Sequence, residues 1–510
     1  MTELQVLGWI VFSVYLLLIV VISFIAKKKT GGLVDYITAP RSYGPVVVGL
    51  ALGATTCSAA ATLGNPGLAY GFGWAGLWYP FGYGGIVFAW AIAAFKLSRM
   101  CLNVGAKSLP DFVGIRFKSQ FVRVMAAIAT ILGVYYIAGQ FAGGAWVFDQ
   151  ILGIEYSTGI LIAAAVMIGY VVIGGTHAEM MNSAVQGAIM LLLATIVTIA
   201  VLVQVGTPGT INTLIEAQDP SLGWSNVFAD PMFGTFTGPA IAIALSLFAL
   251  SPQLTKMWFT IRSEKDIPWA LIVGFIFMFM MGLLILFGGL GGRAVFPDIP
   301  PDTSVLMILM EYTPSLIVTI AGVGILAAIM STTAGLFLVS GVAVANDIYK
   351  DVIAPKIHAH TDNAVLERRT AMVTRILIVV FAIIGLAIAV DPPPYLTGLM
   401  WVGIGALAAG ISPLIIMGSV WQRTSKLAAE VGSVLGLGAH VFCYYVLGGM
   451  LGIEVFNIAW AGTGVGIILN FVALIVISLF TEPLPQEHLD QIFGECELPG
   501  EVEIDKTPTM

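Results

Sequence analysis

Residues Gly324-Ile-Leu-Ala-Ala-Ile-Met-Ser-Thr-Thr-Ala-Gly335 form an apolar stretch with three consecutive hydroxyl side chains, Ser331, Thr332 and Thr333. Residues 316–344 carry no charge, which predicts a membrane helix. A hydroxyl in hydrocarbon meets no water, so it must pair with its own backbone, a neighbouring helix or a ligand. Ser and Thr often bond back to a carbonyl one turn earlier. Three successive residues cover most of the helix circumference, however, so at least one hydroxyl is predicted to face the bundle interior.

The composition is that of a helical membrane protein. The 510 residues are 58% hydrophobic and 10% charged, whereas about a quarter of a typical soluble chain is charged. Uncharged apolar runs of spanning length recur from end to end, which predicts an all-α, polytopic membrane protein. The first run is followed by Lys27-Lys28-Lys29 and has no small-residue cleavage site. It is therefore predicted to be a retained span and not a signal peptide.

Thirteen transmembrane spans are predicted from the apolar runs. They are Val6–Ala26, Val46–Leu63, Ala75–Phe95, Val124–Val147, Tyr156–Gly174, Ser183–Val205, Gly238–Phe259, Trp269–Gly291, Leu316–Val342, Ala371–Val390, Tyr395–Val420, Leu427–Leu447 and Val455–Phe480. An odd number puts the termini on opposite sides. With the N-terminus outside, 21 of the 22 Lys and Arg residues lie on the inner side and Arg293 lies outside. The positive-inside rule thus predicts a multi-pass protein of the cell (inner) membrane with a cytoplasmic C-terminus.

Two predicted spans are interrupted. The second contains a small polar run after Gly53 and ends in Gly64-Asn65-Pro66-Gly67, and the seventh contains Ser251-Pro252-Gln253. Each could be an ordinary proline kink. They are also the first members of two successive five-span blocks of opposite orientation. Paired broken helices in inverted repeats are the best sequence indication of a binding site at the membrane midplane.

The predicted organisation therefore has six parts. They are an extra N-terminal transmembrane helix with an inner loop (1–45), the first inverted repeat (46–205), an outer loop (206–237), the second inverted repeat (238–420), two C-terminal transmembrane helices (421–480) and an acidic cytoplasmic tail (481–510). The tail holds eight acidic residues and one lysine, which accounts for the whole net charge of −7. Such a tail is typical of a solvated, disordered end.

Several functions find no support in the residues. Four scattered cysteines and five scattered histidines predict no disulfide framework or metal cluster. No basic patch with interleaved aromatic residues is present, so nucleic acid is not an expected partner. The carboxylates Asp149 and Glu430 fall near span ends, and Lys256 lies near the inner end of its span, where it can snorkel to the interface. No buried acid, base or metal cluster for an intramembrane enzyme is therefore predicted, and no cofactor is expected.

The hydroxyl stretch, followed by Asn346-Asp-Ile-Tyr349, resembles the signature of the sodium:solute symporter family. Further stretches are similar to the family in order and spacing: Asp35-Tyr36 with Arg41-Ser42, Asn65-Pro-Gly-Leu-Ala-Tyr-Gly71, Leu109-Pro-Asp-Phe112 through Arg116-Phe117, Pro252-Gln253 with Lys256, Ser263-Glu-Lys-Asp266, Gly410-Ile-Ser-Pro413 and Trp421-Gln-Arg423. The resemblance implies a five-plus-five inverted-repeat fold like that of amino acid–polyamine–organocation transporters. It also implies sodium as the coupling ion and a small-molecule solute as cargo.

The resemblance places the family's common sodium site on five oxygens. They are the carbonyls of Ala54, Cys57 and Ala328 and the hydroxyls of Ser331 and Thr332. A broken helix leaves carbonyls free for such coordination. The chain departs from the family in having Thr56 where many members carry an acid after the unwound Ala, and Asn182-Ser183 where many carry Thr-Asp. The second departure predicts one sodium per transport cycle.

The choice of substrate rests on a narrower resemblance. Residues 138–144, residues 152–159 and Gly174-Gly175 with Gln186-Gly187 are similar to the sodium/pantothenate permease branch, which favours a small carboxylate such as pantothenate or a monocarboxylate. The alternatives are a proline-like amino acid, or a membrane sensor that keeps the fold without transporting. The candidate substrate-binding residues are Thr56, Ser58, Asn65, Gln140, Ser251 and Gln253. Gln140 could equally form an interhelical hydrogen bond.

A channel, a sensor and an enzyme are the rival classes. A channel would show rings of charge or repeated carbonyl loops, and the sequence shows neither. A sensor would be favoured by a long folded domain after the last span, where only the acidic tail follows. Secondary active transport is therefore the predicted function, and the sequence leaves the oligomeric state open.

Overall fold

The computed structural model describes residues 2–28, 39–106, 108–228, 233, 236–357, 362–391 and 396–494. The described part is helical throughout. Its only β-type pairing is an isolated parallel bridge between Tyr43 and Ile261. The predicted all-α, polytopic membrane fold is confirmed. The predicted motif residues Asp35 and Tyr36 lie outside the described residues, as does the tail beyond Gly494.

Twenty-three α-helices follow one another along the described chain, with short π- and 3₁₀-helical segments between them. The α-helices are α1 (Glu3–Lys27), α2 (Pro45–Thr56), α3 (Asn65–Phe72), α4 (Trp78–Ile92), α5 (Ser98–Asn103), α6 (Leu109–Arg116), α7 (Gln120–Ile131), α8 (Val134–Val147), α9 (Tyr156–Gln204), α10 (Pro208–Gln218), α11 (Thr237–Phe248), α12 (Pro252–Thr255), α13 (Ile267–Leu286), α14 (Gly292–Val295), α15 (Ser304–Tyr312), α16 (Ser315–Val342), α17 (Ala354–Ile357), α18 (Asn363–Ala389), α19 (Leu396–Gly410), α20 (Ser412–Val420), α21 (Lys426–Phe442), α22 (Ala459–Phe480) and α23 (Gln486–Phe493). The π-helical segments are Ala60–Gly64, Ala93–Leu97, Phe148–Leu152, Phe287–Gly291, Ala343–Ile353 and Cys443–Met450. The 3₁₀ segments are Gly73–Leu77, Pro220–Leu222, Trp224–Asn226, Lys256–Thr260, Glu264–Asp266, Pro301–Thr303 and Glu454–Phe456.

The described helices that could cross a membrane number ten or eleven, against the thirteen predicted spans. Ten helical segments of the described chain are long and apolar enough to cross a membrane. An eleventh span is α11 with the segment Pro252–Thr260, bent by 42° at the break. The helices Pro45–Thr56 and Tyr156–Gly169 are apolar but shorter. The number thirteen and the inverted repeat therefore remain predictions.

Two boundaries differ from prediction. The predicted loop between the fifth and sixth spans, residues 175–182, is not a loop, because α9 runs through it with a kink at Gly175 (φ 57°, ψ −148°). A residue with a side chain rarely adopts that backbone conformation, so one glycine makes the turn. The predicted fourth span is divided at Leu132-Gly133 into α7 and α8.

Burial separates central helices from peripheral ones. In the most apolar part of the segment that contains α16, 83% of the residues are buried, and in α19 with α20 the share is 94%. It falls to 28% in α1 and in α18. These outer helices expose large apolar side chains such as Leu17 and Ile383, which suits a surface that faces lipid. The helix with three hydroxyls is therefore at the centre of the bundle.

The acidic tail contains a helix that we did not predict. Residues Gln486–Phe493 form α23, so the prediction of a disordered end is wrong for this segment. Asn103 donates hydrogen bonds to the carbonyls of Ile492 (3.1 Å) and Gly494 (2.9 Å). Leu489 and Ile492 are buried. The composition of residues 481–510 did not indicate this short amphipathic helix, because the segment contains many charged residues and α23 buries only two apolar side chains.

Candidate ion and substrate site

The first broken helix ends at Thr56, in a run of small residues. Cys57 has an extended backbone (φ −94°, ψ 118°), and the helix resumes as a π-helical segment from Ala60. Two side chains accept hydrogen bonds from backbone N–H groups beside the break. The Gln140 carboxamide oxygen accepts from the Ala59 N–H at 3.1 Å, and the Ser58 hydroxyl accepts from the Ala60 N–H at 3.0 Å.

Two hydroxyls of α16 point at the carbonyls beside this break. The Ser331 hydroxyl oxygen lies 2.8 Å from the carbonyl oxygen of Ala54 and 3.0 Å from that of Ala328. The Thr332 hydroxyl oxygen lies 3.0 Å from the carbonyl oxygen of Thr55 and 3.4 Å from that of Cys57. All five residues predicted for the sodium site thus come together, and the Thr55 carbonyl, which we did not predict, joins them.

The third hydroxyl behaves differently. Thr333 donates to the carbonyl of Ile329, one turn earlier in its own helix, at 2.6 Å. This is the back-bonded arrangement common in membrane helices. Of three successive hydroxyls, two therefore face the break and one is satisfied within α16.

The cluster around Ser331 and Thr332 is rich in acceptors and poor in donors. Two hydroxyl protons face four carbonyls, and both side chains are fully buried. Each hydroxyl can give its proton to one carbonyl at a time. Oxygen atoms that converge without a formal charge suit a hard monovalent cation, to which every one of them can present a lone pair. We call this cluster the oxygen cage.

A cavity of about 330 Å³ adjoins the break. Three of the predicted substrate residues, Thr56, Ser58 and Asn65, line it. The remaining lining residues are mainly aromatic or aliphatic: Ala60, Ala61, Tyr79, Tyr83, Ile86, Tyr136, Leu245, Phe248, Trp401 and Ile404. None of these described lining residues carries a formal charge, so the cavity presents hydroxyl, amide and indole groups on apolar walls.

Hydrogen bonds hold the polar lining in place. Asn65 donates to the Tyr83 hydroxyl at 3.2 Å and accepts from Thr397 at 3.3 Å. Tyr136 donates to the Ser58 hydroxyl at 3.0 Å. The break is thereby connected to three neighbouring helical segments. A ligand in the cavity would contact Thr56 and Ser58, which flank the cage residue Cys57.

The other three predicted substrate residues lie elsewhere. Gln140 is buried against Ala59, where its carboxamide supports the break, and it does not line the cavity. Ser251 and Gln253 are also buried, at the start of α12 in the second broken helix. That helix breaks where predicted, between Phe248 and Pro252. Its residues therefore belong to a different cluster.

That cluster contains an ion pair that we did not predict. The Lys256 ammonium lies 2.6 Å from a carboxylate oxygen of Glu179, and their side chains are 9% and 3% exposed. The expectations that Lys256 snorkels and that the membrane part buries no acid are both wrong. Glu179 was assigned to the loop after Gly174, and the kink at Gly175 turns it inward instead. A lone carboxylate between two long apolar runs was the signal available.

A second cavity of about 440 Å³ adjoins the ion pair and is lined by Lys256 together with Ser108, Thr255, Asp347 and apolar residues. Asp347, from the motif that follows α16, is fully buried and accepts from the Ser108 hydroxyl at 2.7 and 2.8 Å. The motif thus fastens the end of the central helix to the start of α6. The predicted topology puts this cavity on the cytoplasmic side.

Known proteins are similar to this chain in sequence over most of its length. The model of the sodium:solute symporter family matches residues 36–436. The high-affinity proline transporter PutP of Bacillus subtilis is 26% identical over 434 residues, which cover 81% of this chain and 87% of the relative. A sodium/proline symporter of Staphylococcus aureus is 27% identical over 447 residues, covering 84% of each chain.

Solved structures share the fold. A sodium-coupled sialic acid symporter in its substrate-bound, outward-open state superposes with a TM-score of 0.74 at 15% identity. The match covers 94% of this chain and 99% of that structure. A nucleobase-cation-symport-1 family transporter, Mhp1, superposes with a TM-score of 0.54 at 13% identity, covering 90% of this chain and 97% of the structure.

Proposed function

The chain belongs to the sodium:solute symporter family, and we propose that it uses one sodium ion, held in the oxygen cage, to import a small zwitterionic amino acid such as proline. The observation that carries the proposal is the approach of the Ser331 and Thr332 hydroxyls to the carbonyls of Ala54, Thr55 and Cys57. The cage joins the first broken helix to α16, and the uncharged cavity begins at the next residues of the same break.

Coupling follows from this shared segment. A sodium ion in the cage would draw α16 and the end of α2 together and thereby fix the backbone at Cys57. Thr56 and Ser58, on either side of Cys57, line the cavity. A ligand that stabilises the same conformation of this segment raises the sodium affinity, and sodium raises the ligand affinity by the same factor.

The cavity favours a zwitterion over a net anion. Burying an ionised carboxylate without a compensating charge is very costly, and the described lining residues offer no cationic side chain. An amino acid carries its own ammonium, so its net charge is zero. The relatives from Bacillus subtilis and Staphylococcus aureus, named as proline transporters, also favour the amino-acid alternative over the pantothenate or monocarboxylate substrate that the sequence led us to expect first.

Uptake into proteoliposomes tests the proposal. Labelled proline, pantothenate and pyruvate are supplied with an inward sodium gradient, or with choline in its place. We expect proline to accumulate only with sodium. Accumulation of pantothenate or pyruvate without proline would overturn the substrate, and accumulation that ignores sodium would overturn the coupling. A protein that transports none of them, but binds proline in equilibrium dialysis, would support the sensor alternative.

We also propose the orientation given by the charge distribution, with the N-terminus outside and the C-terminus in the cytoplasm. A cysteine introduced at position 293 should react with a membrane-impermeant maleimide added to intact cells. A cysteine at position 27 should react only after the membrane is opened. The reverse pattern would invert the topology while leaving the symport proposal intact.

A further inference from the structure

A second polar cluster adjoins the oxygen cage. Gly335 lies one turn after Thr332 in α16. A Cβ atom on Gly335 would lie 3.1 Å from the Glu179 carboxylate oxygen Oε1, 3.1 Å from Thr55 Cγ2 and 3.3 Å from Gln253 Cβ. Glu179, Gln253 and Thr55 therefore surround one small residue, and Thr55 also contributes its carbonyl to the cage.

This cluster has unused capacity to bind a cation. Within the described part of the chain, Glu179 Oε1, Thr55 Oγ1 and both polar atoms of the Gln253 carboxamide have no hydrogen-bond partner. All three residues are at most 2% exposed. Buried polar atoms are normally paired. Unpaired polar atoms on three buried side chains that surround one glycine, one of them a carboxylate, favour a positive charge at this place.

The positive charge is supplied by the chain itself. The Lys256 ammonium lies against the other oxygen of the carboxylate, Oε2, at 2.6 Å. Lys256 follows Pro252–Thr255 of the second broken helix, and Glu179 follows the kink at Gly175. The lysine reaches the carboxylate from the side of the 440 Å³ cavity, which it also lines.

We propose that the Glu179 carboxylate, with Gln253 and Thr55 beside it, is the acidic group of a second monovalent-cation site, and that the Lys256 ammonium neutralises it at Oε2 as a tethered cation in place of a free ion. The chain then needs one free sodium ion, in the cage, while the second cation is covalently attached. The physical reason is charge balance, because a carboxylate inside a membrane bundle needs a cation beside it. This inference rests on the proposed sodium-coupled transport. Its consequence is a fixed ratio of one sodium ion per substrate molecule.

The test is to remove the tethered charge and count sodium ions. Lys256→Gln keeps a polar side chain and deletes the charge, leaving Glu179 without its cation. Equilibrium binding of ²²Na⁺ to the purified protein should rise by one ion per molecule relative to the wild type. In proteoliposomes, the sodium-to-substrate ratio should rise from one to two. The matched variants are Lys256→Arg, which keeps a cation, and Glu179→Gln with Lys256→Gln, which removes both charges; neither should gain an ion.

Each outcome decides the question. An unchanged sodium count in Lys256→Gln overturns the inference, as does uptake that becomes proton-dependent while the sodium count stays the same. If Lys256→Gln folds only when purified in sodium, and the double variant also folds in choline, the second site is supported. If Lys256→Gln does not fold in either sodium or choline while the double variant folds, the ion pair is structural and the inference is wrong. A wild-type protein that binds no sodium would instead defeat the proposed function, since the inference is judged on the difference between variant and wild type.

Discussion

Two polar clusters adjoin each other along α16, and they satisfy their buried groups in opposite ways. The oxygen cage around Ser331 and Thr332 has no formal charge, and its carbonyls outnumber the hydroxyl protons that face them. The cluster one turn further along contains a carboxylate and an ammonium 2.6 Å apart. The neutral cage leaves its oxygens available to an ion from outside, whereas the charged cluster is neutralised by a residue of the chain. Removing a cage hydroxyl should therefore lower the sodium affinity, whereas removing the Glu179 carboxylate should lower the stability of the fold.

Removing one partner of the ion pair should have the largest effect. Glu179→Gln leaves the Lys256 ammonium buried without a counter-charge, and loss of one partner of a buried pair costs about 3–5 kcal/mol. We expect a pronounced fall in the free energy of unfolding, measured by thermal or denaturant unfolding in detergent. Both side chains are less than a tenth exposed, so solvent screening does not reduce the effect.

The double variant Glu179→Gln with Lys256→Gln is the control for that prediction. It removes both charges and should recover most of the stability, because no unpaired charge remains. If the double variant were as unstable as the two single losses combined, shape and hydrogen bonding at these positions would matter more than charge. The contrast between the clusters would then be lost.

The cage variants should come next in size. Ser331→Ala and Thr332→Val each remove one ligand oxygen and leave the helix almost unchanged. A hydrogen bond or ligand contact to a charged group contributes about 1.5–3 kcal/mol, which corresponds to roughly a ten- to hundred-fold loss of sodium affinity. We expect normal expression, a higher sodium concentration for half-maximal uptake and partial recovery in excess sodium. Unchanged sodium dependence of uptake in both variants would contradict the assignment of the sodium ion to the cage.

The two clusters also differ in how far the sequence could predict them. The hydroxyls in one apolar helix and the break before Asn65-Pro66-Gly67 follow from local patterns, and the family resemblance implies which five residues join in the cage. Both its residues and the break were predicted, with the Thr55 carbonyl as the one addition. The ion pair depends on a contact between residues 77 positions apart. It also depends on a kink at Gly175 that hydrophobicity alone treats as a loop.

Other differences have the same origin in three-dimensional contacts. Gln140 was a candidate for the substrate, and the structure uses it to pair a backbone N–H that the break exposes. Nothing in residues 134–147 shows that the break would lie opposite Gln140. Likewise, α23 depends on the Asn103 side chain and on the Ile115 carbonyl of α6, which accepts a hydrogen bond from His488 Nε2 at 3.0 Å. Local patterns therefore predicted elements and breaks, whereas pairing between distant segments decided the roles of single polar residues.

Asp302 tests whether pairing or burial alone sets the free-energy cost of ionising a buried carboxyl group. It lies outside the spans in the segment Pro301–Thr303, packs on Gly67 and accepts from the Leu396 N–H at 3.1 Å, and its other oxygen has no partner among the described residues. Burial raises the pKa of Asp302 from 3.8 to about 7, and the Leu396 hydrogen bond opposes this rise. The folded state therefore favours the protonated form. The contribution of the Asp302 carboxyl group to the free energy of unfolding is fully present below pH 3.8, declines as the pH rises and is lost above about pH 7.

Melting of the wild type and of Asp302→Asn at pH 5.5 and pH 7.5 measures this contribution. One unit of pH corresponds to about 1.4 kcal/mol for a fully linked group, so we expect the wild type to lose about 2 kcal/mol or less over this range. Asp302→Asn cannot ionise and should show a smaller loss. Equal pH dependence in the two proteins would mean that Asp302 is ionised at both pH values, with a compensating charge that the pairing argument overlooks.

The smallest effect is expected at Thr333, which directly follows the two cage hydroxyls and so provides the closest comparison within one helix. Its hydroxyl donates to the Ile329 carbonyl at 2.6 Å. Thr333→Val removes that bond but keeps the branched shape, and the Ile329 carbonyl remains in the α-helical hydrogen-bond ladder, so no buried group loses its last partner. Net contributions of such neutral bonds are about 0.5–1.5 kcal/mol to stability, and none of this acts on a bound ion. Sodium-dependent uptake should therefore shift by less than about threefold, which is well under 1 kcal/mol. If Thr333→Val raised the half-maximal sodium concentration as much as Thr332→Val, all three hydroxyls would act through the helix backbone, and the distinction between oxygens that face the break and oxygens satisfied within α16 would have no functional meaning.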